Sequence, residues 1–372
     1  ANYSPPVIDQ LTIVNKTRVS DQLILSQLHQ QTGAPLDEAQ LQLDIESIYG
    51  YDYFEFVNYE IASTDAGNAL IVTATDARGH DQLGASVSVS SDSRTASHFN
   101  VGAIFSKALI TQRGGEWIIA AQLGKDPWLR SELYLPFDFR QRLFANPYAR
   151  YSENRYNLTT PGGLSEFRVD RLTLGLLFGS HIANKALLGF GLEHQKGEIH
   201  DNPNTLFAEH SQYALFDWDS LDNLGFPRTG TLARLRLERV EPGGSTPDYD
   251  LLRLSIAHAW PFGNNALTVD GRYQTGSNGI IDRHRQQRLG GLKNLTGLHR
   301  DALTGSELRY GSVMLTHRLR ESGILPVDMP IYLGLMFEAG NAWIKSGNDD
   351  NDLMLSAGLF LGVDTPIGPL YV

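Results

Sequence analysis

The chain has 372 residues, a formal net charge of -11 and no cysteine. The acidic balance argues against a nucleic-acid partner, because phosphate binding needs a basic face and no lysine and arginine cluster of that size occurs. Without cysteine, disulfides and thiolate metal sites are excluded. No apolar run reaches the roughly 18 residues of a transmembrane helix, but the alternating strands of a membrane barrel also look slightly polar on average.

Residues 7–76 predict a small α/β domain, preceded by a linker at residues 1–6. A short strand comes first. Ser20 and Asp37 then stand as N-caps in front of two segments whose apolar residues have helical spacing. Two strands joined by a short turn follow. The resulting β-α-α-β-β order is that of a small two-layer domain.

The first of these two strands, Phe54 to Ile61, is a candidate binding edge. An exposed strand edge can add an extended segment of a client protein by backbone pairing, a mode that tolerates many sequences. Glu55, Val57 and Asn58 are the residues expected to meet such a segment. The alternative is an edge that a helix covers and that has no binding role.

From residue 83 to residue 372, segment after segment alternates between apolar and polar residues, as strands do. This pattern predicts a transmembrane antiparallel β-barrel over residues 83–372. The count gives fourteen strands, and Pro369 to Val372 begins a fifteenth. Because an even number is expected, the last strand or so is predicted to be missing from this sequence. The clearest alternation sets Ala233, Leu235 and Leu237 against Arg234, Arg236 and Glu238.

Three further features favour a membrane barrel over a soluble β protein. The polar faces mix glycine, serine, arginine and glutamate, which is the composition of a hydrated interior. The strands, at about ten to fifteen residues, are long enough to cross a bilayer. Aromatic residues recur near strand ends, where rings lie at the lipid headgroups. They are Trp117, Trp128, Tyr134, Tyr148, Tyr151, Trp218, Trp260 and Trp343.

The connection from Gln286 to Gly305 is the main candidate functional element of the barrel. Gly290, Gly291 and Gly297 interrupt a run that has neither the period of a strand nor that of a helix, so we expect a long loop with a fixed shape of its own. Long ordered loops are usually functional.

The sequence offers no catalytic or cofactor site, and none is expected. The segment Gly84 to Ser88 lacks the final glycine of the GxSxG elbow of lipases, and neither HExxH nor a P-loop occurs. The acidic stretch Gly347 to Asp352 lacks the spacing and the closing glutamate of a calcium loop. A solvated outer loop is the better interpretation of that stretch, and no metal site is predicted.

Several motifs resemble the outer-membrane insertase and translocase superfamily that includes BamA, TamA and FhaC. Residues 7–76 are similar to its POTRA domain, and the resemblance covers nearly the whole chain. The single POTRA-like domain and the Gly-Gly-Leu-x-Asn-Leu form of the loop are most similar to the translocator part of patatin-like type V-d autotransporters. The motifs are LGGLKNLTGL with the strand after it, MFEAGNAW at Met336 to Trp343, DNLGFPRTG at Asp222 to Gly230, and the final TPIGPLYV.

The resemblance implies a sixteen-stranded barrel in the lipid of the bacterial outer membrane, with the N-terminal domain in the periplasm. It implies that the chain is not itself an enzyme but a translocator and anchor for a passenger, a patatin-like lipase domain, that lies upstream of residue 1. Contact with the barrel-assembly machinery and a homodimer are further expectations. Two alternatives stay open: an outer-membrane protein assembly factor or two-partner secretion transporter, and a simple porin.

The resemblance also predicts a contact between the loop and the barrel wall. In the superfamily an arginine of the loop meets an acid on the wall, but Thr296 stands where that arginine is expected, followed by Gly297. Glu338 is the wall acid, since it shares a strand face with polar neighbours. We expect Arg300 to replace the arginine, with Lys293 and then Arg309 as the next candidates. The alternative is that Glu338 is only hydrated.

Overall fold

A computed structural model describes most of the chain. The described part does not include residues 1–4 of the expected linker or residues 346–350 of the acidic stretch. No helix in the described part is long and apolar enough to cross a membrane. The described residues are 5–50, 53–76, 81–90, 98–160, 163–182, 185–200, 203–244, 246–278, 281–320, 329–345, 351–365 and 368–372.

The N-terminal domain has the predicted β-α-α-β-β order, with one additional short strand pair. Strands β2, β5 and β4 form a sheet in that order, in which β2 runs parallel to β5 and β4 runs antiparallel to it. Strands β1 and β3 pair with each other. The elements are β1 (Val7–Ile8), β2 (Gln10–Lys16), α1 (Asp21–Gln27), β3 (Ala34–Pro35), α2 (Glu38–Tyr49), β4 (Phe54–Thr64) and β5 (Gly67–Asp76).

Both helices begin at the predicted caps. The side chain of Ser20 accepts a hydrogen bond from Gln22 N, and the side chain of Asp37 accepts one from Gln40 N. Each cap satisfies a backbone donor that has no partner within its helix. The apolar faces of the helices then pack on the sheet, which buries a core that includes Leu23, Ile24, Leu41, Ile48, Leu70 and Val72.

Residues 1–83 form one compact unit with residues 104–119 and 132–146. Within this unit, Arg140 Nε donates to Ser26 O at 2.8 Å, and Tyr53 OH donates to Gly114 O at 3.1 Å. These hydrogen bonds fix the two turn-containing segments to the α/β domain.

Fifteen strands form one antiparallel sheet that nearly closes into a barrel. The strand order follows the chain order from β6 to β16 and continues through β19, β20, β21 and β22. The strands are β6 (Asp81–Ser90), β7 (His98–Lys107), β8 (Glu116–Gly124), β9 (Trp128–Pro136), β10 (Leu143–Thr160), β11 (Gly163–Ile182), β12 (Ala186–His200), β13 (Thr205–Asp219), β14 (Gly230–Pro242), β15 (Tyr249–Phe262), β16 (Asn265–Ser277), β19 (Glu307–Arg320), β20 (Ile331–Trp343), β21 (Met354–Thr365) and β22 (Gly368–Tyr371). In the connection between β16 and β19, two short strands, β17 (Gln287–Leu289) and β18 (Leu303–Gly305), pair with each other.

The alternation predicted from the sequence separates the two faces of the sheet. On β20 the side chains of Tyr332, Met336 and Glu338 are buried, whereas Leu335 and Phe337 between them are exposed. An apolar row that is exposed on the outside of a barrel matches the lipid-facing band of membrane barrels. The predicted fold class is confirmed.

One detail of the sequence interpretation is wrong. Tyr148 was placed among the aromatic residues at the membrane surface, yet its hydroxyl bonds to Glu193 and lies 3.3 Å from the hydroxyl of Tyr213. Polar partners on several strands explain why this ring lies on the inner face.

The lipid-facing row on β20 yields a first prediction. Leu335→Arg should destabilise the barrel by about 2–4 kcal/mol if the residue lies near the bilayer midplane, because a charge must then leave water. Leu335→Ala, which removes apolar area without adding charge, is the control. The measurement is urea unfolding of the protein folded into lipid vesicles. The gel shift between unheated and heated samples reports the folded fraction. Equal losses in both variants would show that Leu335 does not face lipid.

Candidate functional site

The connection between β16 and β19 folds against the inner face of the barrel, and we call residues 281–306 the lumen loop. It contains a short 3-10 helix, Arg283–Arg285, and the β17–β18 hairpin. Its apolar residues join the wall: Leu289 and Leu295 are fully buried and cluster with Leu308, Tyr310 and Ala342. The loop is therefore packed and not a free segment in a water-filled channel.

The loop tip is held by Glu338 of β20. Leu295 N donates to one carboxylate oxygen at 3.0 Å, and Thr296 N donates to the other at 2.7 Å. Tyr310 OH lies 2.7 Å from the first oxygen as well. A buried carboxylate that accepts three hydrogen bonds is well satisfied, since charge-assisted bonds are the stronger kind.

The next residue of the tip binds a second strand. Gly297 N donates to Ser356 Oγ on β21 at 2.8 Å. Leu295 has a φ of 70°, a left-handed conformation that is uncommon for leucine and that turns three successive N–H groups toward the wall. Such backbone conformations persist where the surroundings hold them in place.

Two of the glycines explain why the loop can approach itself and the wall. A Cβ atom on Gly290 would lie 2.0 Å from His299 O, and Gly290 also has a φ of 127°. A Cβ atom on Gly305 would lie 2.2 Å from the backbone of Trp343. Gly291, the other half of the glycine pair, has a φ of 101°. Only glycine fits these positions without strain.

The three candidate cations do not bind Glu338. Arg300 Nη2 pairs with Asp126 Oδ2 at 2.9 Å. Lys293 Nζ lies 3.1 Å from Tyr371 OH, and the guanidinium of Arg309 lies over the Trp343 ring at 5.1 Å. The expected pairing of Arg300 with Glu338 is therefore wrong in this structure. Backbone N–H groups and a tyrosine hydroxyl replace the cation, so the expectation of a merely hydrated Glu338 is not met either.

The base of the loop carries an ion pair that the sequence interpretation missed. Arg285 Nη2 lies 2.7 Å from Glu209 of β13, and Arg285 Nη1 lies 2.8 Å from Glu238 of β14. These side chains are between 0% and 5% exposed. The only sequence signal was a cluster of arginines before the loop, RHRQQR, which does not indicate which arginine finds a buried partner.

The pair belongs to a larger charged network on the inner face. Glu238 also accepts from Arg236 at 3.1 Å and from Arg253 at 2.9 Å, and Arg236 reaches Glu193 at 3.0 Å. A polar cavity of 560 Å³ adjoins this network. Its lining includes the side chains of Arg171, Arg236, Arg253, Arg285 and Arg288.

One group of side chains has the composition of a metal site. Potential ligand atoms of Glu209, Asp282 and His284 lie within 4.8 Å of one another. However, the guanidinium of Arg285 already neutralises Glu209, and a second cation there would meet its repulsion. The arrangement is explained by the ion pair without a metal ion.

The candidate binding edge lies in the N-terminal domain. Strand β4 is at the edge of its sheet, with Glu55 and Asn58 exposed and Val57 buried. Val57 N donates to Tyr49 OH at 2.8 Å, and Tyr59 N donates to Asn58 Oδ1 at 2.8 Å. Side chains thus occupy two donors of this edge, and a client strand would have to displace them. Binding at Glu55, Val57 and Asn58 stays a prediction.

The buried base of the loop yields a second prediction. Arg285→Met should destabilise the barrel by about 3–5 kcal/mol, because it leaves Glu209 and Glu238 buried with fewer positive partners. Arg285→Met with Glu209→Gln should be less destabilised than the single variant, since one uncompensated charge is gone. Urea unfolding in detergent provides the measurement. Additive losses would show that the two side chains are not energetically coupled.

Comparisons with known proteins agree with this geometry. The Omp85 superfamily domain matches residues 82–372, and the POTRA family, described as a surface antigen variable number repeat, matches residues 6–75. A search of curated protein sequences gives no match.

Solved structures share the fold at low sequence identity. BamA from Haemophilus ducreyi lacking POTRA domains 1-3 has a TM-score of 0.74 and 13% identity, over 97% of this chain and 80% of that one. CdiB from Escherichia coli has a TM-score of 0.62 and 15% identity, over 96% and 70%. CdiB from Acinetobacter baumannii has a TM-score of 0.60 and 11% identity, over 97% and 68%. With its barrel sheet, its lumen loop and a family match over most of its length, the chain belongs to the Omp85 superfamily of bacterial outer-membrane β-barrels.

Proposed function

We propose that this chain translocates a polypeptide across the outer membrane and that the tip of the lumen loop must leave the wall for passage. The observation that supports this is the way the tip is held: by hydrogen bonds from the backbone of residues 295–297 to Glu338 and Ser356. Such bonds can be exchanged for bonds to water, whereas the buried ion pairs of Arg285 are costly to separate. The charged inner face beside the loop offers a hydrated path.

In the finer form of the proposal, the translocated polypeptide is a passenger of the same chain, a patatin-like lipase domain upstream of residue 1, and the barrel is its anchor. This form rests on the sequence resemblance to type V-d autotransporters. The proposal assigns no catalysis to residues 1–372. An assembly factor or a two-partner secretion transporter is the alternative, and the likeness of BamA and CdiB concerns the fold alone.

A disulfide that fixes the tip to the wall tests the proposal, and residues 1–372 contain no cysteine that would interfere. A Cβ atom on Gly297 would lie 3.8 Å from Ser356 Cβ, a spacing close to the disulfide mean of about 3.8 Å. We expect oxidised Gly297→Cys/Ser356→Cys protein to be inactive in passenger export and reduced protein to be active. The measurement is surface display of the passenger in cells, with and without reductant.

A second disulfide guards against an effect of the substitutions themselves. A Cβ atom on Gly358 would lie 3.8 Å from Thr296 Cβ, so Thr296→Cys/Gly358→Cys should fix the same tip through different residues. The four single cysteine variants serve as controls. Full export by either oxidised double variant, with the disulfide verified by mass, would contradict the proposed movement of the loop.

Removing the wall acid should have the opposite effect on the tip. Glu338→Ala leaves the two backbone donors without their acceptor and leaves Tyr310 OH with only the carbonyl of Lys293. If this loss costs about 2 kcal/mol, the rate of thiol labelling at a Leu295→Cys reporter should rise roughly 30-fold. Glu338→Gln, which keeps one acceptor oxygen, should give a smaller increase. Labelling is followed in detergent.

Arg300→Ala provides the matched control for the wall acid. Because Arg300 pairs with Asp126, its effect should add to that of Glu338→Ala. A coupling larger than about 0.5 kcal/mol between the two substitutions would show that Arg300 and Glu338 interact after all.

The expected partners remain predictions within this proposal. Leu353, Leu355, Leu359 and Leu361 are exposed, as a lipid-facing row requires, and a homodimer would cover the same row. Contact with the barrel-assembly machinery rests on the resemblance. Cross-linking from Glu55 or Asn58 during export would show whether strand β4 receives a passenger segment.

A further inference from the structure

The connection between β13 and β14, residues 220–229, has a fixed shape of its own, and we call it the inner turn. Asp222 Oδ1 accepts from Arg228 N at 2.9 Å and from Thr229 N at 3.0 Å. Asn223 Oδ1 accepts from Gly225 N at 2.7 Å and from Phe226 N at 2.9 Å. Side chains that bond to nearby backbone in this way fix a turn without a strand ladder.

The inner turn inserts Phe226 between strands that are more than 85 residues away in sequence. Phe226 is 1% exposed, stacks on Tyr332 of β20 with ring centroids 4.4 Å apart, and lies 4.9 Å from the ring of Tyr371 on β22. A Cβ atom on Gly362 would lie 2.3 Å from the Phe226 ring, so the wall has space for this ring only where β21 carries a glycine.

Polar contacts add to this aromatic packing. Asn223 Nδ2 donates to Asp364 of β21 at 2.7 Å, and Tyr371 OH donates to Gly225 O at 2.5 Å. Strand β22 has four residues, Gly368–Tyr371, and stands at the end of the strand order, where it pairs with β21. The inner turn therefore contacts both β21 and β22.

Lys293 of the lumen loop reaches the same place. Its Nζ lies 3.1 Å from Tyr371 OH and 3.5 Å from Gly225 O, and 4.7 Å from the centre of the Tyr371 ring. Its carbonyl lies 3.1 Å from Tyr310 OH, the hydroxyl that also bonds to Glu338. A continuous set of contacts thus runs from the wall acid through the loop tip to β22.

From these contacts we propose that Lys293 and the inner turn are positioning elements that couple the lumen loop to strand β22. The ammonium of Lys293, a partly buried residue, contacts Tyr371 OH and Gly225 O together, and Tyr371 loses this cation when the loop leaves. Withdrawal of the loop then loosens β22, and by thermodynamic reciprocity loosening of β22 favours withdrawal of the loop.

The coupling deepens the proposed function, since it names a second element that moves with the loop. The coupling is tested in purified protein without a passenger. The coupling can therefore be absent while export still depends on the loop, and it can be present while export does not. Amide hydrogen exchange of residues 368–372 and 287–305 in detergent reports the two elements separately, and residues 186–200 of β12 serve as an internal reference.

The loop is fixed first. In oxidised Gly297→Cys/Ser356→Cys protein, exchange in residues 368–372 should slow about tenfold relative to the reduced form, within the usual range of coupling between sites. Exchange in the β12 reference should stay unchanged. An unchanged rate in residues 368–372 would overturn the coupling.

The connecting side chain is removed next. Lys293→Met keeps the length of the side chain without the charge and should speed exchange in both the loop and residues 368–372, whereas Lys185→Met, at an exposed position before β12, should change neither. Faster exchange in the loop alone would overturn the proposal. Phe226→Ala should loosen both elements as well, and Phe226→Leu takes its place if the alanine variant does not fold.

Discussion

The carboxylate of Glu338 determines where the lumen loop lies, and the rest of the interior follows from that position. Inside a barrel a loop can place its backbone only where polar partners exist, because unpaired N–H groups are costly away from water. Glu338 supplies two acceptor oxygens to Leu295 and Thr296, and Ser356 supplies the next one to Gly297. Three consecutive donors in one direction require the left-handed conformation at Leu295 and the tight approach at Gly290. The apolar side of the same turn then packs Leu295 against Leu308 and Tyr310.

The two ends of the loop are held by different kinds of interaction. At the base, Arg285 lies between Glu209 and Glu238, both almost fully buried, and separating these charges would leave them uncompensated. At the tip the ligands are neutral N–H groups and a hydroxyl, each of which water can replace at modest cost. In the proposed movement the base stays attached while the tip exchanges its partners. The polar cavity beside Arg285 lies next to the fixed end, and its lining includes Arg236, Arg253 and Arg285 of the network.

The local sequence pattern was sufficient to predict the architecture. For the contacts of the lumen loop it identified one partner but not the other. Alternation on β20 placed Glu338 on the inner face, and the glycines marked a fixed loop. The partners were not predictable, because they depend on the register of strands far apart in the chain. Arg300 finds Asp126, 174 residues away, and Arg285 finds Glu209, 76 residues away. Composition does not distinguish Arg285 from the other arginines of its cluster. Nothing in the DNLGFPRTG motif indicates that Phe226 packs against Tyr332 of β20.

The absence of the expected arginine has a consequence for how the loop is held. Thr296 does not replace that side chain: its hydroxyl accepts from Lys293 N within the loop at 3.1 Å, while its own N–H goes to Glu338. The wall acid therefore recognises the shape of the loop backbone instead of a particular cation. Tyr310 OH lies between Glu338 Oε1 and the backbone carbonyl of Lys293, so the wall acid reaches the backbone of Lys293 through one hydroxyl and does not contact its ammonium. The ammonium of Lys293 lies instead 3.1 Å from Tyr371 OH, so this cation of the loop contacts strand β22 and not the wall acid.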